Sequence, residues 1–552
     1  MTAEKEPRTF TGAVGVADRR LALVSDDPRR IEAFRREHPG VREIDGTGKV
    51  LMPGLINTHC HVAMTLQRGY ADDIALMKWL HEYIWPFEAQ QTPDEIVLGA
   101  EMGIVEMLLG GVTTFVDMYW HENRIAEAVR RLGIRAMLGA SYLDTSWEAF
   151  ADDVERMIAT TGDCDRIRLA VAPHSPYTCS PESLQRGKEL ARRHGLWFMT
   201  HISETEDEVR IVRERYGTTS VRHLDTLGIL DDRTIGAHCV HVDDGDIRIL
   251  RERGVAVSHN PQSNMKISSG IAPIARMHSE GVLCTIGTDG TCSNNDLDMW
   301  DEMRTASFLQ KVATMDPCVL PAYEILKMAT VNAARAIGHA GELGVIKEGA
   351  LADFILIDAV KPHLMPVYNM VANLIYCGKA ADVDTVVVNG EIVVEGRRIE
   401  GRSVTIRQPG VRDAQELLLE AFQTGSFYGP LSWNKLFDAR LFKEKGIHYD
   451  ETMLFGDDAS VLHRVFEWER CNCLTDVLYH YRTRAGQITT AGFPPHKTDD
   501  LRMYWEWLQY FSARPGREEY YEWAVVRYWR IFYQFWCQSC LLYTSPSPRD
   551  GA

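Results

Sequence analysis

Between Met52 and His339, eight short apolar runs alternate with longer stretches of helical periodicity, and few folds accommodate such a pattern. The runs are GLINTHCH (54–61), VTTFVDM (112–118), IRAMLGA (134–140), RLAVAPHS (168–175), LWFMTHIS (196–203), TIGAHCV (234–240), GVAVSHN (254–260) and LCTIGTDG (283–290). Charged, helix-period segments such as Pro181–His194 and Asp243–Arg253 separate them. Apolar runs of this length, bounded by polar turns and spaced by helices, indicate buried parallel strands. Eight such units in succession predict an α/β fold, a (β/α)8 TIM barrel over 53–340. On periodicity alone, an open doubly wound sheet is the rival.

The flanks have a different rhythm. VGVADRRLALVSD (14–26), GVIKEGALADFILID (344–358) and DTVVVNGEIVVEGRRI (384–399) are short β patterns with Gly and Asn-Gly turns. They predict a small β-sandwich built from both arms, residues 1–52 and 341–422, with a closing helix over VRDAQELLLEAF (411–422). Beyond Phe422 the composition shifts: 27 of the chain's 51 Phe, Trp and Tyr residues lie there, which marks a different domain or a different origin, and an α-rich C-terminal extension is expected. A chain of 552 residues is too long for one core, so several domains are expected.

A net charge of −17 argues against nucleic acid or an anionic membrane as partner, since both select basic faces. The first forty residues hold no apolar signal region, and no apolar run is long enough to span a bilayer, so a cytoplasmic location is expected. Twelve cysteines in such a chain are no disulfide scaffold, and Cys537-x-x-Cys540 has no second pair beside it.

The chemistry sits at strand ends. His59 and His61 are two apart at the end of the first strand, and residues i and i+2 of a strand point to the same side. The fifth strand ends in His201, the sixth in His238 and the eighth in Asp289. Barrel enzymes build their active sites at that face. Three neutral imidazoles and a carboxylate suit one divalent ion, zinc first and iron(II) second, with a position left for water. Such an ion lowers the pKa of water from about 15.7 toward about 7. Asp289 can accept the proton released. Glu204, three residues after His201, is placed to shuttle a proton to a ring nitrogen as hydroxide adds to the neighbouring carbon.

PGLINTHCHVAMTLQRGYADD, EYIWPFE, APHSPYT, THISETEDEV, GAHCVH, SHNPQSNMK and GTDG together resemble the amidohydrolase superfamily. Within it they are most similar to the branch of 5'-methylthioadenosine/S-adenosylhomocysteine deaminases and triazine chlorohydrolases. The resemblance runs from about Thr11 to Phe422. It implies that His59, His61, His201 and Asp289 bind the metal, that Glu204 and His238 handle protons and the attacking water, and that Glu88 and His174 contact substrate, Glu88 at ribose hydroxyls. No lysine ends the fourth strand (Pro173-His174-Ser175-Pro176), so one metal is expected rather than two bridged by a carbamylated lysine. The HxE…PCxxC pattern of the other zinc deaminases is absent. Members of the branch also carry arginines after the third strand that help hold substrate, whereas LGASYLDTSWEAF (138–150) has none. A guanidinium is the natural partner of a carboxylate, so S-adenosylhomocysteine fits less well than a nucleoside without one.

Residues 429–489, with Gly456-Asp457-Asp458, resemble the C-terminal part of a family 2 glycosyltransferase; 423–540 would be that fragment, without its donor-binding half. LLYTSPSPRDGA (541–552) resembles translated sequencing adapter, which suggests a chimeric reading frame. The expected activity is hydrolytic deamination of a purine-type, adenosine-like ring with release of ammonia. Triazine dechlorination or deamination is the alternative within the fold, and a bifunctional protein with a glycosyltransferase arm the alternative outside it. The partner expected is a small heterocycle; a homo-oligomer is left open.

Overall fold

A computed structural model describes residues 9–399 apart from 75, 145–146 and 162–163, together with 411–413, 470–472 and positions 505, 509 and 512. The chain divides into two units, Met1–Val404 and Thr405–Ala552. In the first, β1 (Ala13–Ala17) and β2 (Arg20–Ser25) form an antiparallel hairpin, followed by a helix, Pro28–Glu37, and by β3 (Lys49–Pro53). Eight parallel strands come next: β4 (Leu55–Cys60), β5 (Val112–Tyr119), β6 (Arg135–Tyr142), β7 (Ile167–Pro173), β8 (Trp197–Ile202), β9 (Thr234–His238), β10 (Ala256–His259) and β11 (Leu283–Ile286). Each of the eight apolar runs supplies one of them.

These strands follow one another in chain order around a single sheet, a nearly closed barrel and not an open doubly wound sheet. Side chains and loop backbone bridge the seam between β4 and β11. The Thr58 hydroxyl donates to the Ile286 carbonyl at 2.9 Å, Asn57 Nδ2 donates to Thr288 Oγ1 at 2.8 Å, and the Asp289 N–H donates to the His59 carbonyl at 2.9 Å. Gly287 makes this approach possible: a Cβ there would stand 2.7 Å from the His59 nitrogen. Ile56, Val116, Met137, Ala170, Met199, Ile235 and Ala256 share one buried cluster with Ala333, Ala334 and Ala336 of the helix Val331–Ala336.

After the barrel, β12 (Phe354–Asp358), β13 (Val383–Val388), β14 (Glu391–Glu395) and β15 (Arg398–Ile399) join β3 in a five-stranded sheet of order β15-β14-β13-β12-β3. Asn389 and Gly390 turn the β13–β14 hairpin with φ of 54° and 79°, as the Asn-Gly pair predicts. The β1–β2 hairpin packs on this sheet through Leu21, Ala350, Phe354 and Val387, giving the sandwich expected from the two arms. A buried bidentate pair ties sandwich to barrel: Arg135 of β6 donates to Asp353 at 3.0 and 3.1 Å, and the Asn389 N–H donates to the same carboxylate at 2.8 Å.

In the second unit, Val411–Asp413 pair antiparallel with Arg470–Asn472. Apolar periodicity predicts the start of a helix at 411; instead a β-branched residue opens a strand that has found a partner. The rest of that helix, the glycosyltransferase-like segment with Gly456-Asp457-Asp458, the adapter-like tail and the Cys537–Cys540 pair lie outside the described residues. Among the described residues, no helix is long and apolar enough to cross a membrane.

Candidate active site

The histidines of four strand ends meet at one end of the barrel. Nitrogens of His59, His201 and His238 lie within 4.8 Å of one another, and so do ligand atoms of His59, His61 and Asp289. Asp289 Oδ1 stands 3.2 Å from His61 Nε2 and 3.5 Å from His59 Nε2; its Oδ2 stands 3.9 Å from His238 Nε2. All eight residues singled out from the sequence come to this place, and seven of them line one pocket: His61, Glu88, His174, His201, Glu204, His238 and Asp289. His59 is buried behind them.

Three of the rings are held by their other nitrogen. His61 Nδ1 donates to the Met118 carbonyl at 2.6 Å, His201 Nδ1 to the His174 carbonyl at 2.6 Å, and His238 Nδ1 to Asn264 Oδ1 at 2.8 Å. This turns the Nε2 atoms of these three rings toward the cluster, where His61 Nε2 meets Asp289 Oδ1. Asp289 accepts hydroxyl hydrogens from Ser263 (2.6 Å) and Ser293 (3.1 Å) at Oδ2 and the Gly290 N–H at Oδ1 (2.8 Å). Ser203, His238 and Asp289 all have left-handed backbones, with φ of 50°, 71° and 64°, a conformation rare outside glycine.

Burial sets the protonation. It drives His59 down to about 4 and His174 to about 3, so both are neutral near pH 7. At His61 desolvation is outweighed by the hydrogen bond and charge of Asp289 and by the Met118 carbonyl, which lift it to about 9. Asp289 is desolvated too, yet the imidazoles of His59 and His61 hold it well below the carboxylate range. Burial raises Glu204, whose Oε2 lies 3.9 Å from His238 Nε2, and also raises Glu88.

His59 Nε2 is buried without a hydrogen-bond partner. An orphaned imidazole nitrogen, beside two more free ones and an ionised carboxylate, is what a divalent cation satisfies. The donor set fits such an ion.

Sequence reading missed the supports. Glu208 is buried and accepts the N–H groups of Ser203 (2.8 Å) and Glu204 (2.7 Å) and the Ser220 hydroxyl (2.9 Å), thereby fixing the turn that presents Glu204. The Asp117 carboxylate accepts the Val62 N–H at 2.8 Å, just past His61. An acidic residue four positions from Glu204 was the available signal for Glu208; nothing in the spacing marks Asp117.

The amidohydrolase family model matches residues 50–393, which span the barrel and the sheet that flanks it. The chain belongs to the amidohydrolase family. This amidohydrolase, a hydrolase acting on C–N bonds, is 44% identical over 392 residues to a 5-methylthioadenosine/S-adenosylhomocysteine deaminase of Pelotomaculum thermopropionicum, covering 70% of this chain and 89% of that one. It is 43% identical over 396 residues to a 5'-deoxyadenosine deaminase of Methanothermobacter thermautotrophicus, covering 69% and 91%. Among solved structures it resembles a zinc-bound adenosine deaminase from Xanthomonas campestris (TM-score 0.68, 34% identity, 71% and 90% covered). It also resembles the zinc complex of atrazine chlorohydrolase from Arthrobacter aurescens (TM-score 0.67, 25% identity, 73% and 95% covered). Zinc in these neighbours and the cluster here agree on a divalent metal.

Proposed function

We propose that this amidohydrolase deaminates adenosine-like nucleosides whose 5' substituent carries no negative charge, such as 5'-methylthioadenosine or 5'-deoxyadenosine. The observation that carries the reading is the wall of the pocket. Trp79, Trp85, Trp120 and Tyr177 offer flat apolar surface, the acids are Glu88, Glu204 and Asp289, and no described lining residue is lysine or arginine. A carboxylate would enter without a cation to pair with.

His59, His61, His201 and Asp289 would hold one divalent ion, zinc by preference over iron(II), and that ion would supply the Lewis acidity that makes water nucleophilic at neutral pH. Asp289 and His238 face the place of attack and take the proton that water gives up. Glu204 delivers a proton to the ring nitrogen beside the attacked carbon; its buried carboxyl keeps a proton at higher pH than an exposed one. The exocyclic amine takes up a proton and leaves as ammonia, and the ring gains a carbonyl. His174 packs against substrate, and Glu88 accepts from ribose hydroxyls.

Ammonia release is to be measured across adenosine, 5'-deoxyadenosine, 5'-methylthioadenosine, S-adenosylhomocysteine and guanine, and chloride release from a chlorotriazine. The expected result is turnover of the first three with kcat/KM above that for S-adenosylhomocysteine. Preference for S-adenosylhomocysteine would overturn the charge argument, and turnover of the triazine or guanine alone would overturn the substrate class.

A further inference from the structure

One side of the pocket comes from a strap between the turn Val62–Gln67 and the helix Pro93–Leu109. Its short helices Leu76–Trp79, Leu80–Ile84 and Trp85–Glu88 contribute Trp79, Leu80, Ile84, Trp85 and Glu88 to the wall. The middle one is a π-helix, a form that appears mostly as a single turn inside an α-helix and frequently at functional sites. The three run on without a break as one helical stretch over 76–88, with Trp79 and Trp85 helical at both joints, and a stretch of that length is marginal alone. The strap therefore depends on what ties it down.

One tie is polar and joins three loops. Lys266 Nζ donates to Asp72 Oδ1 at 2.5 Å and to the Cys292 carbonyl at 3.3 Å, and it also hydrogen-bonds Asn295 Oδ1. Asn295 Nδ2 donates in turn to Asp72 Oδ2 at 3.3 Å, and Arg68 donates to the Asn295 carbonyl at 2.6 Å. Asp72 belongs to the strap, after barrel strand β4. Lys266 closes the helix Pro261–Lys266 after β10, and Asn295 lies in the loop after β11. The same helix carries Ser263, which donates to Asp289, and the next residue after Lys266, Ile267, lines the pocket. The loop after β11 carries Ser293, the other hydroxyl on Asp289.

We infer that Asp72 and Lys266 are a positioning pair that holds the aromatic wall in register with the Asp289 end of the site. Neither residue belongs to the metal-fit cluster or to the pocket lining; the pair fixes the distance between the two. Breaking it loosens the wall that binds the nucleoside and leaves the groups that move protons where they are, so the loss falls on KM more than on kcat. The two side chains are 24% and 35% exposed, so salt reaches them and weakens their attraction.

The inference rests on the deaminase reading for its kinetic arm, so a second arm is independent of substrate. In hydrogen exchange of the unliganded full chain, Asp72→Asn is expected to speed exchange in 76–88 while strands β4 to β11 keep their rates. With 5'-methylthioadenosine, Asp72→Asn and Lys266→Met are expected to raise KM about tenfold with kcat within about threefold and metal content unchanged. The charge-reversed double variant, Asp72→Lys with Lys266→Asp, should recover at least half of that loss, and salt should raise KM in the wild type but not in Asp72→Asn. Unaltered exchange in 76–88, or a fall in kcat with KM unchanged, would overturn the positioning role. Altered exchange in a protein that deaminates no adenosine-like nucleoside would leave the pair standing and sink the substrate reading instead.

Discussion

Glu204→Gln isolates proton transfer from everything else in the pocket. The Glu204 side chain is 11% exposed, burial raises its proton affinity, and its Oε2 lies 3.9 Å from His238 Nε2. Glutamine keeps the volume and the backbone N–H held by Glu208, but it carries no transferable proton. A positioned general acid–base contributes about 10²–10⁴-fold, which corresponds to about 3–5 kcal/mol of barrel-site barrier lowering at about 1.36 kcal/mol per tenfold. Glu204 lies outside both groups of converging ligand atoms, so metal content should stay at the wild-type value. The assay is steady-state ammonia release from 5'-methylthioadenosine, with elemental analysis of the same preparation. A variant within tenfold of wild-type kcat would refute the proton-transfer role. Loss of metal in step with loss of turnover would make Glu204 a ligand and refute the division of labour proposed above.

Asp289→Asn is expected to lower kcat by at least about 10³-fold, since a metal ligand and a proton acceptor go together; elemental analysis of the wild type should find one divalent metal per chain, and turnover should stop on chelation and return with zinc. Arg135→Met leaves the Asp353 carboxylate buried without its cation, so urea unfolding should show a loss of about 3–5 kcal/mol, and a loss below about 1 kcal/mol would mean that the Asn389 N–H suffices. A chain of residues 1–422 should keep the specific activity of the full chain, because the family match ends at 393; an inactive or insoluble 1–422 would show that the second unit is required.

The barrel and its cluster were legible because both are periodic. A strand shows its facing by alternation, and His59 and His61 sit two apart for that reason. Asp289, His201 and His238 close their own apolar runs, so the fold brings them together once the runs are read as parallel strands. Strand β3, Lys49–Pro53, was hidden because VLMPGLIN reads as a single apolar run, and the Pro53-Gly54 break between a sandwich strand and a barrel strand has no polar residue beside it. The supports were hidden for another reason. Asn264, Ser263, Ser293, Asp72 and Lys266 lie on loops, where neighbours are set by the ring of strand ends and not by spacing along the chain. Polar residues in a polar loop carry no mark of which carboxylate they will face.

The left-handed residues at the strand ends have a consequence for how such a chain can change. Ser203, His238 and Asp289 each stand where glycine would rest more easily, at a cost of about 1–3 kcal/mol apiece for a side chain held in that region. Glycine would relieve that strain, but at Asp289 it would leave the Ser263 and Ser293 hydroxyls and the Gly290 N–H without their acceptor, and at His238 it would leave Asn264 without its donor. The strain and the bonds that hold it therefore stand or fall together, and any added robustness has to be gathered elsewhere, in the sandwich or along the outer helices.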